Sequence, residues 1–250
     1  MTATGALPNV VVIGAMKCGT TAIHRYLDAH PDVTMASRKE VNFFVGPDAP
    51  PAGHTAATSP GQWHRGVQWY AALFDPSRPV RGESSPGYTS PDHPEVARRM
   101  AATLPGARLV YLVRDPAQRA VSQYRHHHRD GTETRPLGEA VLDPRSQYIA
   151  RSRYHERLEP FLRYFPAEQI LVVLQERLLA DRKAEVARVY AHAGADPHWW
   201  DETLQRRWHV GREGEEEVPA GLRHAVAARV YDDTDKLRAF MGDDLPEWAR

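Results

Sequence analysis

The 250-residue sequence contains a single cysteine, so no disulfide can form within the chain and a disulfide-stapled secreted scaffold is excluded. It has no excess of either charge. The 32 basic and 32 acidic residues give a formal net charge of zero, which removes the global field expected of a chain that coats nucleic acid or an anionic membrane. No apolar run approaches the length of a membrane span. The opening MTATGALPN lacks the basic and apolar regions of a signal peptide. Together these absences predict a cytoplasmic protein with neither nucleic-acid nor membrane partners, and they require any anion site to be local. No internal repeat is visible, and the length suits one domain, residues 1–250, with a sizeable core.

What is present is organised around VVVIGAMKCGTTAIHRYLDAHP, residues 10–31. Val10 to Ile13 form a branched apolar run too short for a helix and closed by Gly14, which reads as a buried strand. After the turn Gly14 to Gly19, Ala22, Ile23, Tyr26 and Leu27 fall at helical spacing up to Pro31, so the turn feeds the start of a helix. Unpaired amides and the positive dipole end favour an anion there, and Lys17, Thr20 and Thr21 add one cation and two hydroxyls. The expected ligand carries a phosphate or sulfate group. A Walker A loop needs its lysine directly after the last glycine, whereas Lys17 precedes Gly19 by two places. A phosphatase loop is also disfavoured, because six residues rather than five separate Cys18 from Arg25.

Further along, apolar runs alternate with amphipathic segments. Ala107 to Val113 ends in Arg114-Asp115-Pro116, with Pro116 suited to the first turn of a helix that carries Arg119, Ser122, Gln123 and Arg125. Ile170 to Leu174 is a third apolar run. The alternation predicts an α/β domain, P-loop-like, with a central mostly parallel sheet flanked by helices and ligands at the carboxyl ends of the strands. Residues 46–61, rich in Pro, Gly, Ala and Thr, read as a mobile loop, 133–147 as a second irregular loop and 205–219 as a late exposed loop. GESSPGY, residues 82–88, reads as a turn-rich piece, and 222–248 as a helical terminal stretch. His126, His127 and His128 are consecutive on a helix and face different directions, so no metal site is expected of them.

These landmarks, in this order, resemble the sulfotransferases that use 3′-phosphoadenosine 5′-phosphosulfate (PAPS), especially the heparan-type and bacterial branch. GAMKCGTTAIHRYLDAHP is similar to that family's 5′-phosphosulfate loop and YLVRDPAQRAVSQYRHH to its 3′-phosphate element. KEVNFF, RGVQWYAALF, GESSPGY, YHERLEPFLRYFPAEQILVVLQERL and LRAFMGDDLPEW resemble its connecting segments, so the likeness runs from about Val10 to about Trp248.

The resemblance implies transfer of a sulfuryl group from PAPS to a hydroxyl or amine of a small-molecule or glycoside acceptor, leaving adenosine 3′,5′-bisphosphate (PAP). It assigns Lys17, Cys18, Gly19, Thr20 and Thr21 to the 5′ end of the nucleotide, with Lys17 also stabilising the leaving group. Arg114 and Ser122 go to the 3′-phosphate, and Gly211 and Arg212 to a late basic loop over the nucleotide. Glu40 matches the general base, with Glu83 or a histidine next in line. Asn42, Val45 and Ser84 replace a histidine, an aspartate and a lysine of the heparan-type relatives, which implies a smaller or less anionic acceptor. Two other readings stand beside this one: a P-loop NTPase or small-molecule kinase, and a non-catalytic nucleotide-binding scaffold. For single residues the plain alternatives are ion pairs, Glu40 with Lys39 and Arg114 with Asp115.

Overall fold

Each of the strongest apolar runs of the sequence becomes a strand of one sheet. In the computed structural model, which describes residues 6–46, 61–205 and 217–248, β1 is Val10–Gly14, β2 Val33–Met35, β3 Val80–Ser84, β4 Arg108–Val113 and β5 Ile170–Leu174. Their order is β2-β3-β1-β4-β5, and every pairing is parallel. The sheet is thus wholly parallel where the sequence predicted mostly parallel. A parallel sheet is covered on both faces, and Val10, Val11, Val12 and Ile13 are all fully buried. Burial of each stabilises the fold by roughly 1.5–3 kcal/mol.

The strands are connected and covered by α1 (Thr20–Ala29), α2 (Gly66–Ala71), α3 (Val96–Thr103), α4 (Pro116–Arg129), α5 (Leu137–Leu142), α6 (Gln147–Ala150), α7 (Tyr154–Leu162), α8 (Gln175–Ala180) and α9 (Arg182–Ala193). Two more helices, α10 (Ala220–Arg229) and α11 (Tyr231–Met241), follow the late loop. One core surrounds the sheet, and a second apolar cluster joins α4, α5, α6 and α10 through Val121, Tyr124, Val141, Ile149 and Val226.

Three expectations are corrected. The stretch 133–147 is not wholly irregular, since it contains α5 with Ala140 and Val141 buried. GESSPGY begins inside β3 rather than as a turn, because Gly82, Glu83 and Ser84 pair with β1. The terminal stretch is two helices meeting at Val230. Most of the expected mobile loop, 47–60, and of the late loop, 206–216, lies outside the described residues, and Gly211 and Arg212 with it.

The strand order switches direction between β1 and β4, the place where open parallel α/β sheets bind ligands beyond the carboxyl ends of their strands. At the end of β1 the register with β4 slips between Val12 and Gly14, which bends the chain out of the sheet. Gly14 is required there: a β-carbon would collide with Thr89.

Candidate active site

The loop after β1 holds two residues in left-handed backbone conformation, Lys17 (φ 70°) and Gly19 (φ 93°). Gly19 begins α1, and no side chain caps it. Its carbonyl accepts from Ala22 N at 2.9 Å and Ile23 N at 3.3 Å. The amides of Thr20 and Thr21, the first two of the helix, have no intrahelical acceptor by geometry. They are the natural donors to an anion, supported by the dipole of a ten-residue helix. Lys17 and Thr21 are half-buried, and Thr20 is buried. Cys18 differs from its neighbours: its side chain is fully buried, with Sγ 3.7 Å from Tyr154 Oη. Its amide donates to Ala15 O at 3.2 Å. Burial pushes the thiol up to about 11, so it is neutral and points away from any ligand in the loop.

The β4 end closes on the same place. Tyr154 Oη donates to Arg114 O at 2.7 Å and accepts from Arg114 N at 3.3 Å, while also touching Cys18. One buried phenol thus joins the Lys17 loop to the Arg114 turn. Arg114 is not paired with Asp115. Its Nε and Nη2 donate to Gln118 Oε1 at 3.3 and 3.1 Å. Asp115 instead caps α4, accepting from Gln118 N at 2.8 Å, and pairs with Arg223 of α10 at 3.1 Å.

The α4 helix aligns the rest. Gln118, Ser122 and His126 are spaced by four, so they form one stripe, and all three are half-buried. From Gln118, which holds Arg114, the stripe runs about 12 Å to His126 at 1.5 Å per residue. It ends close to the catalytic candidates. Burial first, then the Lys17 ammonium, hold His126 below its ordinary value, while the carboxylates of Asp130 and Glu40 act in the opposite sense. The charges of Lys17 and Glu40 thus both act on His126, which also pairs with Asp130 at 3.4 Å, and Ser122 is one helical turn from it toward Arg114. Of the histidines left open as a fallback base, His126 is the one on the Ser122 stripe. Its signal was the four-residue step from Ser122.

Glu40 is exposed, at φ 61°, with its amide donating to Ser84 O at 2.9 Å at the carboxyl end of β3. Lys39 Nζ lies 2.8 Å from Glu40 Oε1, so the expected ion pair is present alongside the site. Glu83, the fallback base, is fully buried and accepts from Tyr70 Oη, Tyr88 Oη and Ser85 Oγ at 2.6, 2.7 and 2.7 Å. Its oxygens are committed, which removes it as a base.

The three histidines diverge. His127 Nδ1 meets Tyr148 Oη at 3.0 Å and His128 Nδ1 meets Glu133 O at 3.0 Å. Among the described residues, no three His, Cys, Asp or Glu side chains are grouped to hold a metal.

The chain as a whole is similar to known proteins. A sequence model described as the sulfotransferase family matches residues 54–202. The bovine (Bos taurus) bifunctional heparan sulfate N-deacetylase/N-sulfotransferase 2 is 29% identical over 293 residues, covering 98% of this chain and 31% of its own length. The mouse (Mus musculus) heparan sulfate glucosamine 3-O-sulfotransferase 3B1 is 30% identical over 200 residues, covering 75% of this chain and 46% of that protein. The chain spans less than a third of the first such relatives. A sulfotransferase from Alicyclobacillus acidocaldarius matches in structure with a TM-score of 0.81 at 30% identity, over 98% of this chain and 100% of the other. The sulfotransferase domain of the Synechococcus PCC 7002 olefin synthase, with a TM-score of 0.54 at 16% identity, shares the fold. With more than half of its length matched by the family model and nearly all of it by a sulfotransferase structure, the chain belongs to the sulfotransferase family.

Proposed function

We propose that the chain transfers a sulfuryl group from PAPS to a hydroxyl or amine of a small-molecule or glycoside acceptor. The observation that carries this reading is Tyr154, whose hydroxyl bonds both Arg114 N and Arg114 O and touches Cys18, so that the Lys17 loop adjoins the turn from which Arg114 and the Ser122 face of α4 start. The donor set fits a nucleotide with phosphates at both ends. An uncapped helix start with one lysine and two threonines receives the 5′ end, and an arginine and a serine on one helix face receive the 3′-phosphate. When bound, PAPS supplies the sulfuryl group on a leaving phosphate oxygen.

The chain's own residues then do the following. The Thr20 and Thr21 amides and hydroxyls orient the 5′-phosphate, and Arg114 releases Gln118 to bind the 3′-phosphate beside Ser122. Lys17 neutralises charge that builds on the leaving oxygen, the kind of preorganised stabilisation that dominates group transfer. Lys39 holds Glu40 Oε1, and Oε2 takes the acceptor's proton. His126, whose titration burial and the Lys17 ammonium shift downward, is a second candidate proton acceptor. Two heparan-type relatives, named for N- and 3-O-sulfotransfer, support trying both amines and hydroxyls. A cytoplasmic placement belongs to the same proposal, supported by the single buried cysteine. Among the described residues, no helix is long and apolar enough to cross a membrane.

The test is mass spectrometry of an acceptor panel of amino and hydroxyl glycosides and phenols, incubated with PAPS. The expected result is the mass gain of one SO3 on at least one class. Micromolar binding of ATP with magnesium, and none of PAP, contradicts the proposal in favour of an NTPase. PAP binding without transfer to any acceptor favours the scaffold reading.

A further inference from the structure

We propose that Glu83 is a positioning residue: a buried carboxylate that holds the Glu40 loop in its working shape while touching neither nucleotide nor acceptor. The inference rests on the assignment of Glu40 as proton acceptor. Glu83 lies on the central sheet beside Val11, fully buried. A charge there is costly unless it is fully hydrogen-bonded, and its partners are three hydroxyls, with no cation in contact among the described residues.

Each hydroxyl leads to the segment that carries Glu40. Ser85 Oγ, donating to Glu83 Oε2, also accepts from Asn42 N at 3.0 Å. Tyr70, donating to Oε1, stacks on Phe43 with ring centroids 4.1 Å apart and planes 4° from parallel. Tyr88, donating to the same oxygen, packs on Phe44 at 5.5 Å. One carboxylate therefore fixes Asn42, Phe43 and Phe44 in sequence, starting two residues after Glu40.

The loop needs such a hold. Glu40 and Asn42 both adopt left-handed backbone, at φ 61° and 52°, a conformation that non-glycine residues keep only when their surroundings over-determine it. Local interactions of Glu40 do not supply it, since its side chain is exposed and bound to the adjacent Lys39. Among the described residues, its one long-range backbone hydrogen bond is to Ser84 O, next to Glu83. The nucleotide side is held differently, through Tyr154 and the Asp115 cap of α4. The two halves of the site are thus separable, and loss of Glu83 should loosen one of them alone.

Two variants test this. Glu83→Gln keeps the side-chain size but turns one acceptor oxygen into a donor facing hydroxyl donors. Ser85→Ala removes the one hydroxyl that bridges Glu83 and Asn42 while leaving Tyr70 and Tyr88 on the carboxylate, and decides alone if Glu83→Gln does not fold. Three quantities are read: amide hydrogen exchange across 37–46, PAP affinity by calorimetry, and the transfer rate with whichever acceptor the panel yields. Both variants are expected to raise exchange in 37–46 at least about tenfold and to lower kcat at least about tenfold, with PAP affinity within about threefold of the parent. Unchanged exchange in that segment overturns the proposal. So does a PAP affinity that falls in parallel with kcat, the mark of general loosening. If the parent protein transfers to no acceptor, the proposed function fails, while the exchange and PAP arms still decide whether Glu83 is the tether.

Discussion

Two neighbours in the β1 loop show how position, not residue type, decides chemistry. Cys18 is the sort of residue that invites a nucleophile, yet burial against Tyr154 pushes its thiol up to about 11. At pH 8 that leaves about one thiolate per thousand, so the native protein is expected to resist iodoacetamide and to react only on unfolding. Rapid alkylation of the folded protein at pH 8 contradicts this. Lys17, one residue earlier, is half-buried and close enough to His126 to shift its titration. If Lys17 stabilises the leaving oxygen, Lys17→Ala lowers kcat by about a hundredfold or more and moves the melting midpoint by no more than about 3 °C. The two effects are read by steady-state rates and thermal unfolding. A small rate loss, or a rate loss matched by unfolding, removes Lys17 from the mechanism.

At the scale of elements, α4 is the component that turns separate motifs into one site. Its start is fixed by the Asp115 cap and by the Asp115–Arg223 ion pair, which ties in α10. Replacing a capping aspartate by alanine costs about 1 kcal/mol, so Asp115→Ala is expected to lower the melting midpoint by about 2–4 °C and to weaken PAP binding. Asp115→Asn keeps most of the cap. An Asp115→Ala midpoint equal to the parent's means that the cap is idle. The far end of α4 gives a signed titration test. Lys17 pushes His126 down and Glu40 pulls it up, so NMR titration should place the His126 midpoint below 6.5, higher in Lys17→Ala and lower in Glu40→Gln. Midpoints that do not move separate His126 from both residues.

Legibility followed the same division by elements. The strands were readable because burial on both faces makes them continuous apolar runs, as in Val10 to Ile13 and Ile170 to Leu174. β3 was not, because Gly82, Glu83 and Ser84 look like turn residues. Their place in the sheet depends on Tyr70 and Tyr88, remote in sequence, satisfying the buried carboxylate. α5 escaped because six residues carry too little periodicity. The α10–α11 break escaped because Val230 carries no glycine or proline signal. Of the site, the anion loop was legible from residue spacing, whereas the Arg114–Ser122 pair was legible only through the family resemblance. Which of three histidines faces Lys17 was not, since that depends on how α4 is rotated against its neighbours.

Across the whole molecule, the strand order places β1 and β4 side by side, and everything proposed follows from their loops opening into one crevice. Tyr154, bound to both loops, is the physical sign that they do. The central claim is that this crevice reads a nucleotide at both ends, its 5′ end by the Lys17 loop and its 3′-phosphate by Arg114 and Ser122. Calorimetry of PAP against 5′-AMP, which differs only by the 3′-phosphate, tests it most directly. A charge-assisted phosphate contact makes PAP bind about ten- to a hundredfold more tightly than AMP, and Arg114→Ala is expected to bring the two together. Equal affinity of the parent protein for PAP and AMP contradicts the account.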